Sequence, residues 1–145
     1  MFLPTDILRR FDGVARGTLL QRFGCSRKTL SVAVHAGTIE RVRAGVFALP
    51  SANRRIVTAA AHGGSLSCAA ALRLHGVWML PEENDEIHVW MGSAGRRHDH
   101  EPCECKTHYS PGMAGIGVAP VAVALVHFYR CSNDDEAFFA AYESA

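Results

Sequence analysis

The chain has 145 residues, a formal net charge of +1, and is 48% hydrophobic and 20% charged. Those values fit one globular domain, or two very small ones, and exclude disordered, collagen-like and coiled-coil chains. The near-neutral total hides a split: residues 1–50 hold eight Lys or Arg against three Asp or Glu, and the remainder is net acidic. Such asymmetry points to a basic, polyanion-binding module beside a partner region.

Residues 4–12 read as a short amphipathic helix, capped by Thr5 and showing an apolar stripe of Ile7, Leu8 and Phe11. Val14-Ala15 is a minimal strand, and a second helix covers about Gly17–Phe23, closed by Gly24. The third helix has a well-specified start. Ser26 is a preferred N-cap, and Cys25 and Leu30 stand at the hydrophobic-staple spacing. Leu30, Ala33 and Val34 line one face, Arg27, Lys28, Ser31 and His35 the other, and Gly37 ends the helix. Residues 38–50 then form a hairpin around Arg43-Ala44-Gly45.

After a linker at Ser51–Asn53, helices are expected over about Arg54–Ala61 and Cys68–His75. Pro81–Glu86, with Glu82, Glu83 and Asp85, reads as a solvated acidic turn. Strands follow at Ile87–Met91 and Glu104–Tyr109. Pro120 sits at the first helical position of Val121–Cys131, which is apolar almost all round and so expected at the centre of a core. Asn133 and Glu136 suggest a capping box for a last helix, Asp134–Tyr142. The apolar run Met113–Val126 is broken at Gly115, Gly117 and Pro120 and falls short of the roughly 20 residues a spanning helix needs. Met1–Pro4 runs straight into Asp6 and Arg9, which leaves no apolar segment for a secretory signal. The expectation is a cytoplasmic chain with no membrane partner, its cysteines free thiols in a reducing compartment.

The expected fold is therefore α+β: an N-terminal winged helix-turn-helix over residues 1–50, followed by a small α/β domain over 54–145. The chemistry lies at the third helix. Its first turn carries Arg27 and Lys28, the sign a helix start disfavours, whereas the last helix opens on Asp134, Asp135 and Glu136. An anion at that cationic start relieves the mismatch, and duplex DNA supplies one. Ser26, Arg27, Lys28, Ser31 and His35 are the expected contacts to base edges or phosphates, with Arg41 and Arg43 of the hairpin meeting phosphates or the minor groove.

A second cluster, His98, His100, Cys103, Cys105 and His108, has zinc-ligand chemistry. Its His-x-His and Cys-x-Cys spacings alternate across an extended strand, where structural sites use gaps of two or more, so the expectation is a polar hairpin tip with no metal and no cofactor. No Gly-rich phosphate loop, Gly-x-Ser-x-Gly elbow or His-Glu-x-x-His motif is present, and no enzymatic activity is expected.

Phe11-Asp12-Gly13-Val14, Gly24–Leu30 and Gly37–Phe47 together resemble the N-terminal winged helix of AbiEi-type antitoxins, which belong to abortive-infection toxin–antitoxin systems. Leu66–Trp78 and Ile87-His88-Val89 resemble the middle domain of the same family. The resemblance implies a repressor that binds operator DNA, with a nucleotidyltransferase-like toxin as counterpart and residues 54–145 as the neutralising part. Longer relatives add a Vsr-like nuclease domain, whose activity is not expected of residues 1–145. A metal-binding protein or inactive nuclease remnant is the remaining alternative.

Overall fold

The structure, a computed structural model, describes residues 2–81 and 86–145. Glu82, Glu83 and Asp85 of the expected acidic turn lie outside the described residues. The fold is mixed α+β. Its first half comprises α1 (Pro4–Arg9), β1 (Val14–Arg16), α2 (Gly17–Arg22), α3 (Arg27–His35), β2 (Glu40–Arg43) and β3 (Val46–Ala48). Helix α1 begins one residue before Thr5: Leu3 is the N-cap and Pro4 occupies the first helical position, where its fixed φ suits the helix and its missing N–H costs nothing. At α3 the expected cap is present, the Ser26 Oγ accepting from the Thr29 N–H at 3.0 Å. Cys25 and Leu30, either side of that cap, are both buried.

The strands form an antiparallel sheet in the order β1-β3-β2. Because successive side chains point to opposite faces, this sheet has two apolar sides. Ala15 and Phe47 pack with Ile7, Leu8, Leu20, Leu30 and Ile39 of the helical layer. Val14, Val46 and Ala48 face the other way, into the core of the second half. The two halves therefore share a packed boundary, and α4 (Arg54–His62) is the element laid across it.

Beyond α4 come β4 (Ser65–Leu66), α5 (Cys68–Leu74), β5 (His88–Trp90), β6 (Lys106–His108), β7 (Gly117–Val118), α6 (Val121–Cys131) and α7 (Asp135–Ser144). The second sheet runs β6-β5-β4-β7, with β4 antiparallel to β5 and the β5–β6 and β4–β7 pairs parallel. The two-residue strands β4 and β7 carry no periodicity, and sequence reading missed both. Two C-terminal expectations need correction. Helix α6 buries one face only, through Ala124, His127 and Phe128, while Val126 and Tyr129 are exposed; its main neighbours are α5 and α7. Helix α7 is capped by Asp134, not Asn133: the Asp134 carboxylate accepts from the Glu136 and Ala137 N–H groups at 3.0 and 3.1 Å, a charged acceptor at the positive helix end. No helix among the described residues is long and apolar enough to cross a membrane.

Candidate functional site

Helix α3 stands on its apolar face. Leu30 is buried, and Ala33 and Val34 are partly so against the same cluster. The helical repeat then turns Arg27, Lys28, Ser31 and His35 outward together, and all four are exposed, as is Ser26. Val32, which sequence reading assigned no role, is 59% exposed on this same side. Arg41 of β2 is exposed and holds its guanidinium 5.4 Å over the Phe47 ring. Arg27 and Arg41 line one cleft between α3 and the hairpin, floored by Leu30 and Phe47 and closed by Gly17, Thr18, Gln21 and Gly45.

Arg43 is placed differently. Its Nε donates to the Ala60 carbonyl oxygen on α4 at 2.9 Å, and burial, helped by the nearby Arg16, lowers its pKa. It ties the hairpin to α4 and stands apart from the cleft that holds Arg27 and Arg41. Arg54 reinforces the same joint by pairing with Glu40 at 2.7 Å and donating to the Leu49 and Pro50 carbonyls at 3.1 Å.

The His/Cys-rich segment is split between two sites. His100, Cys103 and Cys105 meet His62 from the end of α4; His108 meets Cys68, His88 and Cys131. In each quartet the ligating atoms all lie within 4.8 Å of one another. Strand alternation causes the split. His88 pairs with Lys106 and Val89 with Thr107, so Cys105 and Thr107 point to one face of β5–β6, and His88, Lys106 and His108 to the other. His98 joins neither quartet; its backbone N–H donates to the His62 carbonyl at 2.9 Å.

In the first quartet His62 Nδ1 lies 3.0 Å from His100 Nε2 and 3.6 Å from Cys103 Sγ, and Cys105 Sγ is 3.9 Å from His100 Nε2. His62 Nε2 is engaged by Thr107 Oγ1 at 2.7 Å. Gly63 and Gly64 allow the end of α4 to come this close, because a Cβ at Gly64 would collide with the Trp90 carbonyl oxygen. In the second, Cys68 Sγ is 3.2 Å from His88 Nδ1 and 3.6 Å from His108 Nε2; those two nitrogens are 2.9 Å apart, and Cys131 Sγ is 3.7 Å from His108 Nε2. Cys68 sits at φ +54°, a strained setting for a non-glycine residue, at the junction of β4 and α5. His127 stacks on the His108 ring at 4.2 Å and is itself held between Ser67 and Ser110 at 2.6 and 2.8 Å.

Burial disfavours the charged form of His62, His88 and His108. His62 and His88 are lowered mainly by desolvation, and His108 is lowered to about 4 by burial and by its neighbours His127 and His88. Burial, then Cys103, pushes the Cys105 thiol up to about 11. Sequence reading missed His62, Cys68, His88 and Cys131, each of which stands alone in its own segment. No protein-family model and no curated protein matches this chain.

Proposed function

We propose that this chain is a sequence-specific DNA-binding transcriptional regulator, a repressor of the AbiEi-antitoxin type, whose residues 1–50 act as a winged helix-turn-helix. The observation that carries the reading is the cleft shared by Arg27 and Arg41, with Lys28, Ser31 and His35 exposed along the same side of α3. Three helices and a three-stranded sheet in the order β1-β3-β2, whose β2–β3 pair is the hairpin, fit that motif, in which the helix after the tight turn enters the major groove and the hairpin lies alongside. Cations at the positive end of α3 are unfavourable alone and favourable against phosphate or a guanine edge. Arg41, braced on Phe47, is aimed for a backbone or minor-groove contact.

The test is a binding titration with the chain's own upstream DNA at two salt concentrations. Specific binding that weakens steeply with salt supports the reading; equal, salt-insensitive affinity for any duplex removes it.

A second role, neutralising a nucleotidyltransferase-like toxin through residues 54–145, is favoured by exposed rings on α6 and α7. Tyr129, Phe139 and Tyr142 are about 60% exposed, and aromatic side chains of this kind anchor protein interfaces. Co-expression with a nucleotidyltransferase encoded beside it tests this role: growth rescue that Tyr142→Ala weakens supports it, and no rescue by the intact chain rules it out.

A further inference from the structure

We infer that each quartet binds one zinc ion, so that residues 54–145 are held together by two Cys2His2 centres. The inference does not depend on the DNA-binding reading. Zinc bound at about 2.0–2.1 Å to nitrogen and about 2.3 Å to sulfur has tetrahedral edges of roughly 3.3 Å for N···N and 3.6 Å for N···S. The N···S distances are 3.6 and 3.9 Å in the first quartet and 3.2, 3.6 and 3.7 Å in the second. The nitrogen pairs, at 3.0 and 2.9 Å, need to open by only about 0.4 Å.

The surroundings favour metal over a plain hydrogen-bonded cluster. In the first centre Thr107 engages His62 at Nε2 and turns Nδ1 toward the other three donors, the outer-sphere arrangement that fixes a ligating imidazole. In the second, Glu86 lies 3.6 Å from His88 Nε2, opposite the nitrogen that faces the cluster, and is itself held by Lys106 at 2.8 Å. The four donors of the second centre come from α5, β5, β6 and α6. Four ends of secondary structure delivering only soft sulfur and imidazole nitrogen to one point is a donor set for zinc, with no oxygen ligand to suit calcium or magnesium. Two thiolates balance one dication, so each filled centre is electrically neutral and compatible with burial. Both centres have four protein donors and no open position, which marks them as structural. The first joins α4 to the segment between β5 and β6; the second joins α5 and α6 to the sheet.

The experiment measures zinc by elemental analysis on the untagged full chain, purified without chelator, and titrates metal-free protein with Co2+. The expected result is about two zinc ions per chain, and two equivalents of cobalt giving the intense visible bands of tetrahedral thiolate coordination. Cys105→Ser and Cys131→Ser should each lower the content to about one, and the double variant to none. If a variant fails to fold, the wild-type cobalt titration decides by itself. A folded wild-type chain that takes up neither metal, or gives the weak spectrum of octahedral cobalt, overturns the inference. Two zinc ions that persist in the double variant overturn it equally.

Discussion

Arg43 and Ala60 are joined by a 2.9 Å hydrogen bond from the guanidinium Nε to the carbonyl oxygen, so a cation of the basic hairpin is committed to holding α4. Arg41, two residues earlier, points to solvent over Phe47. The two arginines should therefore fail in different ways. Arg43→Met should lower unfolding stability by about 1–2 kcal/mol, read by chemical denaturation, with little change in the salt dependence of DNA binding. Arg41→Ala should leave stability unaltered and reduce the slope of log affinity against log salt by about 1. Reversed outcomes would mean that the hairpin meets DNA through Arg43.

Arg27 and Lys28 share the first turn of α3 but suit different contacts. Arg27→Ala should cost about 1–3 kcal/mol of specific affinity and relax discrimination at one base pair, as expected when a bidentate base contact is lost. Lys28→Ala should weaken binding evenly across sequences and lower the salt slope by about 1. Affinity titrations on matched and mismatched duplexes separate the two. An Arg27→Ala protein with unchanged affinity and slope takes that residue out of the interface.

The Ser26 cap separates folding from binding. Ser26→Ala removes the acceptor for the Thr29 N–H and should destabilise the protein by about 0.5–2 kcal/mol. Ser26→Asp keeps a good cap and adds charge of the sign that a helix start favours, so thermal stability should be retained. The same carboxylate repels phosphate, and DNA affinity should fall. A Ser26→Asp protein that binds as tightly as the wild type would place the start of α3 away from the DNA backbone.

Removing metal should do more than soften the second half. Structural zinc contributes apparent binding energies of about 10–16 kcal/mol, comparable with or above the whole stability of a typical domain. Chelator should therefore abolish the near-ultraviolet signal of Trp90, which is buried on β5 and paired with the second-centre ligand His108, and zinc should restore it. Magnesium or calcium should not. An unchanged melting profile in excess chelator would show that the packing of α5, α6 and the sheet suffices unaided.

Much of the first half was legible in the sequence because its signals are local. Ser26 caps three residues ahead, Cys25 and Leu30 flank that cap, and the side of α3 that faces water follows from the helical repeat. The hairpin likewise follows from a turn and two short β-rich runs. Errors arose where neighbours in space decided the outcome. Helix α6 looked apolar enough for a core centre, but it packs mainly against α5 and α7 and buries one face, so Val126 and Tyr129 stay largely in solvent. Strands β4 and β7 exist only because they pair with each other, and β4 also with β5.

Sequence alone determined the charged side of α3, since a helix presents residues three and four apart together wherever it lies. It also supplied the chemistry of the His/Cys-rich segment, but not its division. Only tertiary structure decided that Arg43 is spent on Ala60, and that His100, Cys103 and Cys105 join His62 while His108 joins Cys68, His88 and Cys131. The physical reason is range: caps and turns act within about four residues, whereas a four-ligand point needs chain segments tens of residues apart, brought together by sheet register and helix packing.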